Sequence, residues 1–275
     1  MSEEVAVDPV IAEMPRGGPN ASWLDRRLQT DALEYTDRYD VPDDVKQKVI
    51  SALDRMGTLT GQHEKNARTA LAVVGDIPNP RILELGAGHG KLSAKILELH
   101  DTATVTISDL DPTSVDKISA GELGTNPRVR TQVVDATAID AEDDSYDLVV
   151  FAQAFHHLPP ATAFRAIAEA TRVGKRFLVI DLKRHSPPGL ILAALMMAPL
   201  AVVQPAMHDG FISNLRAYSH SAFVALGKAA DPQMLIEFLP SAFRFGPIPT
   251  IVVFSRPGTT PTPVKDTVGE DSEQS

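Results

Sequence analysis

From Pro80 onward, short apolar runs alternate with amphipathic runs along the chain. Three runs repeat apolar residues at helical spacing, namely KLSAKILELH, TSVDKISAGEL and ATAFRAIAEATRVG. Around them lie five runs with the length and composition of buried strands, namely RILEL, ATVTISDL, RVRTQVVDA, YDLVVFA and RFLVIDL. This alternation predicts an α/β fold in which helices cover both faces of a mostly parallel sheet. A further segment, FRFGPIPTIVVFSRP, predicts the antiparallel pair that closes the sheet.

The same pattern predicts how the chain is divided. We expect a helical N-terminal cap over residues 21–75 and a core over residues 76–256, with a helical insertion over residues 186–230 after the fifth strand. Residues 1–20 and 257–275 are rich in Pro, Gly, Ser, Thr and acids. Such segments cannot bury a core of their own, so we predict two disordered tails.

Composition narrows the partners and the compartment. The chain carries 26 Lys and Arg against 36 Asp and Glu, a formal net charge of −10, and no basic run stands out, so we do not expect nucleic-acid binding. It has no Cys, which excludes a disulfide framework and thiolate metal sites. No export leader is recognisable, and we therefore expect a cytoplasmic protein. The oligomeric state stays open.

The longest apolar run is GLILAALMMAPLAVVQPAM, residues 189–207. Within this run only 15 residues come before Gln204, and one of them is Pro199. A helix needs about 20 apolar residues to span a bilayer. We predict a helix that is buried or lines an apolar pocket. Contact with a membrane surface is the alternative.

A glycine-rich turn follows the first predicted strand in ILELGAGHGKL. A dinucleotide fingerprint would need its third glycine at position 91, which is Lys, so a dehydrogenase is disfavoured. The spacing is instead G-x-G-x-G, preceded by the acid Glu84. A carboxylate beside the turn suits a ligand with cationic groups and no phosphate, such as S-adenosyl-L-methionine.

The stretch LELGAGHG resembles the first motif of the class I S-adenosylmethionine-dependent methyltransferases, and later motifs follow in order over residues 80–183. Asp109 stands where the family binds both ribose hydroxyls, Asp135 and Ala136 stand at the adenine edge, and Phe151 lies at the fourth-strand exit beside the methionine portion. The resemblance implies a Rossmann-like sheet of seven strands with an antiparallel last strand. The cofactor contacts that it implies are Glu84, Gly86, Gly88, Gly90, Asp109, Leu110, Asp135, Ala136 and Phe151.

Methyl transfer is an in-line displacement, so the enzyme must position a nucleophile and exclude water. A hydroxyl acceptor must also lose its proton, a task that suits a His. Candidate bases are His156 and His157 in AFHHLPP, although this turn recurs in family members with unrelated substrates and a structural role is the alternative. His208 is a second candidate. Arg216 and Tyr218 are candidate substrate residues, with Arg216 able to hold a carboxylate or polarised oxygen; a surface role for Arg216 is the alternative. The resemblance implies that segments outside the sheet select the substrate, so we expect this role of the cap and of the insertion, with the insertion as a lid.

No metal site is predicted, because the acids are not placed as in the catechol methyltransferases. We expect methylation of a small apolar or aromatic acceptor, with O-methylation ahead of C- or N-methylation. The chain is similar to the broad quinone-biosynthesis group, but FAQAFHHL lacks the Arg-Asn pair of that group, which argues against a quinone precursor. Two alternatives stay open: methylation of a lipid or glycolipid at a membrane surface, and a cofactor-binding module without turnover.

Overall fold

The computed structural model describes residues 8–201, 204–241 and 248–258, without the side chains of residues 198–201. Within these ranges seven strands form one sheet: β1 (Arg81–Leu85), β2 (Thr104–Asp109), β3 (Val129–Val133), β4 (Leu148–Ala152), β5 (Phe177–Leu182), β6 (Leu235–Leu239) and β7 (Pro249–Ser255). Their order is β3-β2-β1-β4-β5-β7-β6. Strands β1 to β5 are parallel, and β7 is antiparallel to both of its neighbours. The predicted fold class is therefore confirmed.

Helices flank this sheet over the part of the chain that the structure describes. They are α1 (Pro9–Ala12), α2 (Trp23–Arg27), α3 (Asp43–Leu59), α4 (Gln62–Val74), α5 (Lys91–Leu99), α6 (Pro112–Ala120), α7 (Pro160–Val173), α8 (Pro187–Ala201), α9 (Pro205–Arg216) and α10 (His220–Ala230). Successive residues of β1 enter opposite cores: Ile82 packs with α4 and α5, whereas Leu83 packs with α7 and α10. Because both of their faces are buried, β1, β4 and β5 are mostly apolar rather than alternating, whereas the edge strand β3 is largely exposed and carries polar residues.

The order of the strands determines where a ligand can bind. Strand β1 lies between β2 and β4, so the connections that leave β1 and β4 diverge at their carboxyl ends. Open α/β sheets bind ligands in the crevice at such a reversal. The glycine turn follows β1 at this edge, and a short 3-10 turn, Phe155–His157, follows β4. The structure therefore brings the two main sequence motifs to the same edge of the sheet.

The N-terminal region differs from the sequence prediction in two places. Residues 8–20 are not a disordered tail: Asp8 caps α1, and Met14 and Arg16 are buried. This segment packs on a core built by other parts of the chain, so its own polar composition does not prevent order. Residues 28–42, all of them described, contain no helix, although the cap was predicted to be helical throughout. The remainder of the predicted tails, residues 1–7 and 259–275, lies outside the described residues.

The closing pair and the apolar insertion also differ from the predictions. The first closing strand, β6, lies before the segment FRFGPIPTIVVFSRP that was predicted to form the pair. Residues 243–247 of that segment lie outside the described residues. Helix α8 is not fully buried: Leu190 is enclosed, but Leu192, Leu195 and Met196 are 59%, 71% and 69% exposed. One side of α8 packs on α9, and its other side is equally apolar but faces outward. Among the described residues, no helix is both long and apolar enough to cross a membrane.

Candidate active site

The turn after β1 requires glycine at three positions. Gly86, Gly88 and Gly90 have φ values of +61°, +56° and +70°, a left-handed conformation that strains residues with a Cβ. A Cβ on Gly86 would also lie 2.6 Å from Cε2 of Phe151 on β4. The last glycine directly precedes α5, so the turn leads into a helix N-terminus. Steric constraints on this turn thus explain the G-x-G-x-G spacing.

Glu84 lies behind the turn, buried near the end of β1. Its Oε2 accepts hydrogen bonds from the backbone N of Ser93, at 3.1 Å, and from the Ser93 hydroxyl. Burial raises the pKa of Glu84 to about 7, although the bonds from Ser93 oppose that shift. The carboxyl group is therefore poised between its neutral and ionised forms near neutral pH.

Asp109 ends β2 beside the glycine turn. Its Oδ2 accepts the backbone N of Gly88 at 2.8 Å and its Oδ1 accepts the backbone N of Asp111 at 2.9 Å. Burial raises the pKa of Asp109. Asp111 instead caps α6, because its side chain accepts the backbone N of Thr113 at 3.1 Å. The two acids thus have separate structural roles, with Asp109 joined to the glycine turn and Asp111 to the helix.

The remaining cofactor candidates lie at the ends of neighbouring strands. Asp135 follows β3, is exposed, and accepts bonds from the backbone N and hydroxyl of Thr137 at 2.8 and 2.7 Å. Leu110 is exposed and Ala136 is half-buried against the core. Phe151, on β4, contacts the turn as described. All nine candidates therefore lie at or near the carboxyl ends of strands β1 to β4, or directly after them. Whether each one touches the cofactor stays a prediction.

Helix α3 borders the glycine turn, a contact that sequence reasoning did not find. His89, between the second and third glycines, places Nδ1 2.7 Å from Asp54 and Nε2 2.8 Å from Gln47, both on α3. Lys117 of α6 also donates to Gln47 at 2.8 Å. The N-terminal cap is thus attached to the cofactor side of the crevice.

His156 is buried in the 3-10 turn after β4. Its Nδ1 lies 2.7 Å from Oδ1 of Asp181 on β5, and its backbone N donates to Oδ2 of the same side chain at 2.6 Å. Its Nε2 lies 3.4 Å from Oε1 of Glu34. Burial lowers the pKa of His156, but Asp181 and Glu34 outweigh this effect and raise it to about 10. A histidine in this environment is protonated at neutral pH, which makes it a poor proton acceptor.

His157 is more accessible, with 22% of its side chain exposed. Its Nδ1 lies 2.8 Å from both oxygens of Asp37, and its Nε2 lies 3.6 Å from Oε2 of Glu34. Nη1 of Arg216 donates to Asp37 at 2.7 Å, and Nη2 donates to the His157 carbonyl. Burial raises the pKa of Asp37, but His157 and Arg216 outweigh it and lower the pKa to about 2.

The structure brings three of the five predicted catalytic and substrate residues into one group. We define the acceptor-side cluster as Glu34, Asp37, His156, His157, Asp181 and Arg216. Tyr218 lies next to it: it is buried, donates to the Leu158 carbonyl at 2.7 Å and packs under Arg16. His208 lies farther out, where its Nδ1 is 3.1 Å from Asp209 and its ring meets Tyr35 edge-on.

Sequence reasoning missed the acids of this cluster and the cation behind it. Glu34 and Asp37 come from the irregular segment 28–42, and Asp37 is 120 positions from His157, so no local pattern links them. Arg16 donates to the carbonyls of His156 and Arg216 at 2.7 and 2.6 Å. The only available signal was Asp181, an acid within the otherwise apolar fifth strand.

Comparison with known proteins agrees with this arrangement. Residues 82–176 match the family model described as a methyltransferase domain. An uncharacterised methyltransferase of Mycobacterium tuberculosis is 34% identical over 96 residues, 35% of this chain and 37% of that protein. An uncharacterised methyltransferase-like protein of Schizosaccharomyces pombe is 33% identical over 108 residues, 39% of this chain and 40% of that protein. The chain thus matches well under half the length of these relatives.

Solved structures show the same fold at low identity. A SAM-dependent methyltransferase from Aquifex aeolicus aligns with a TM-score of 0.54 at 17% identity, covering 76% of this chain and 97% of that one. The plantazolicin methyltransferase BpumL, solved with SAH, aligns with a TM-score of 0.59 at 13% identity, covering 88% and 95%. Fold and glycine turn together are those of a Rossmann-like domain. Residues 82–176 therefore carry a methyltransferase domain, which confirms the predicted resemblance over that part of the chain.

Proposed function

We propose that the protein transfers the methyl group of S-adenosylmethionine to a small apolar or aromatic acceptor, with a hydroxyl oxygen as the preferred atom. In this reaction an oxygen lone pair forms the bond to the methyl carbon, the electron pair of the S–C bond returns to sulfur, and the hydroxyl proton leaves. The cofactor product is S-adenosylhomocysteine (SAH). The chain must therefore align the two reactants and remove a proton.

The observation that carries this proposal is that the acceptor-side cluster adjoins the glycine turn. A Cβ on Gly86 would lie 3.2 Å from the Cβ of Ala154, and His156 and His157 follow two and three residues later. The glycine turn after β1 and the histidine turn after β4 are thus neighbours at one edge of the sheet, which supports a donor site beside the first and an acceptor site beside the second. Because His156 is held protonated, we assign the position that faces the acceptor to His157. The roles of His208, Arg216 and Tyr218 toward a substrate stay predictions.

Calorimetry with SAH and with S-adenosylmethionine tests the cofactor half of the proposal. Asp109→Ala should abolish binding or weaken it strongly, because it removes the side chain that joins β2 to the glycine turn. The matched control is Asp111→Ala, two positions away, which removes only the cap of α6 and should keep the affinity. Absence of SAH binding by the folded, unchanged protein would refute the proposal.

Turnover is tested separately from binding. SAH production in the presence of phenols and other apolar hydroxyl compounds is expected, and His157→Gln should reduce it while leaving SAH affinity intact. Equal turnover by His157→Gln and the unchanged protein would contradict the assignment of His157. Tight SAH binding with no methylated product from any acceptor would favour a cofactor-binding module instead.

A second candidate function, methylation of a lipid at a membrane surface, is favoured by the exposed apolar side of α8. Sedimentation with phospholipid vesicles tests it, comparing Leu195→Ser on α8 with Leu59→Ser, an even more exposed leucine on α3. Loss of vesicle binding in the first variant only would support the lipid substrate. If the unchanged protein does not sediment with vesicles, this candidate fails. A cytoplasmic location stays a prediction in either case.

A further inference from the structure

The two histidines of the acceptor-side cluster face one carboxylate. Nε2 of His156 lies 3.4 Å from Oε1 of Glu34, and Nε2 of His157 lies 3.6 Å from Oε2. One ligand atom from each of the three residues can be chosen so that all lie within 4.8 Å of one another. Once an incoming ion displaces the proton from Nε2 of His156, two imidazole nitrogens and a carboxylate form a donor set that first-row divalent metals bind.

The outer nitrogen of each ring is held by a second carboxylate. Nδ1 of His156 is bonded to Asp181, and Nδ1 of His157 is bonded to Asp37. In metal sites this pairing sets the tautomer and directs Nε2, as the free donor, toward the metal. Both histidines of the acceptor-side cluster therefore have the outer bonds of ligands, and both present Nε2 to the same side chain.

Among the described residues, two buried nitrogens of the cluster lack a hydrogen-bond partner, Nε of Arg216 and Nε2 of His156, and the second of them faces Glu34. His156 is only 3% exposed, yet within the described residues its Nε2 makes no hydrogen bond, because 3.4 Å is an ion-pair distance to Glu34 and too long for a good bond. A buried polar atom without a partner is costly and calls for an explanation. A metal ion between Nε2 and Glu34 would satisfy it.

The separations also discriminate between geometries. Ligands about 2.0 to 2.2 Å from a metal are about 3.3 to 3.6 Å apart at the tetrahedral angle, and about 3.0 Å apart when adjacent in an octahedron. The observed 3.4 and 3.6 Å are nearer the tetrahedral spacing than the octahedral one, and they end on different oxygens of Glu34. The guanidinium of Arg216 is the neighbouring cation: its Nη1 lies 3.9 Å from Glu34 and bonds to Asp37 at 2.7 Å. Asp37, which is not one of the three metal ligands, therefore neutralises Arg216 and leaves Glu34 for the metal ion.

We propose that Glu34, His156 and His157 bind a tetrahedral divalent metal ion, with Zn²⁺ as the fitting choice, and leave its fourth position to water or the acceptor. The partial exposure of His157 supplies access to that position. A metal there lowers the pKa of a coordinated hydroxyl, so the acceptor proton is released to water and the oxygen is oriented toward the methyl group. This role of the ion rests on the proposed function, whereas metal binding itself does not.

The test measures Zn²⁺ in the full, untagged chain after removal of metals by EDTA and dialysis. Titration against a chromophoric chelator should show one Zn²⁺ per chain, and Co²⁺ should give the intense visible bands of a tetrahedral site. Glu34→Gln and His157→Gln should lose both signals. Asp181→Asn should weaken binding about 10- to 100-fold, as expected for an outer carboxylate. The matched control is His220→Gln, an exposed histidine at the start of α10, which should bind as the unchanged protein does.

Circular dichroism and SAH calorimetry on each variant separate a lost site from a lost fold. Absence of stoichiometric Zn²⁺ in the unchanged protein, or equal binding in Glu34→Gln, would overturn the metal site. If SAH binds but Zn²⁺ does not, only this inference fails and His156 carries a proton in place of the metal. If Zn²⁺ binds but SAH does not, the metal site stands and the proposed function fails.

Discussion

Replacing Glu84 with Gln should stabilise the folded chain at high pH and much less at low pH. The pKa of Glu84 is about 7 in the folded protein against an ordinary value of 4.5. Below pH 4.5 the carboxyl is protonated in both the folded and the unfolded state, so it does not change the free energy of unfolding. As the pH rises from 4.5 to about 7, the unfolded chain ionises first, so the folded state loses about 1.4 kcal/mol per pH unit and about 3 kcal/mol in total. The Glu84→Gln variant has no charge at this position and escapes the loss.

The measurement is thermal unfolding of Glu84→Gln and of the unchanged protein without cofactor. Between about pH 5 and pH 8 the advantage of the variant should grow by about 2.5 kcal/mol, or about 5 to 10 °C in Tm for a chain of this size. The matched control is Glu98→Gln on α5, whose exposed carboxylate pairs with Lys95 at 2.5 Å and should give a change below about 0.5 kcal/mol. A Tm difference between Glu84→Gln and the unchanged protein that is the same at both pH values would refute the reasoning.

Two further substitutions test packing. Gly86→Ala should destabilise the chain more than Gly61→Ala, because both positions have positive φ but only the first places its Cβ against Phe151, at 2.6 Å, while the second opens into free space. Equal losses of Tm would contradict this. Arg16→Met should cost about 1 to 3 kcal/mol for each of the two buried carbonyls that it leaves unpaired, measured by urea unfolding. Arg26→Met, which removes only exposed bonds, serves as the control and should cost under about 1 kcal/mol.

The cofactor side of the crevice was predictable because its constraints are local. Gly86, Gly88 and Gly90 are required by the conformation of one turn, and this appears directly in the spacing of the sequence. Asp109 and Asp111 could be told apart, since an acid directly before Pro112 is typical of a helix cap. Strands β1, β4 and β5 are buried on both faces and mostly apolar, which made them recognisable without any long-range information, whereas β3 lies at the sheet edge, carries polar residues and lacks this signal.

The acceptor-side cluster was only half predictable, because its geometry depends on contacts between distant segments. The position of His156 and His157 after β4 could be predicted, but not the carboxylates that hold them. Arg216 was expected to face a substrate; in the structure its guanidinium is buried against Asp37, as a desolvated charge requires. That residues 8–20 are ordered was not predicted, for the same reason. The buried side chain of Arg16 holds this segment in place, and composition does not show which Arg or Lys will be buried.

The match to the methyltransferase family ends at residue 176, and this boundary has an evolutionary consequence. The segment that the family model covers contains the glycine turn and the two histidines, but Glu34, Asp37, Asp181 and Arg216 all lie outside it. Under the proposed function, we expect substitutions in those outer segments to change the choice of acceptor more than the use of the methyl donor. Exchange of the flanks would then be a route by which one domain acquires new acceptors, and sequence identity within the matched segment would carry little information about the compound that each relative methylates.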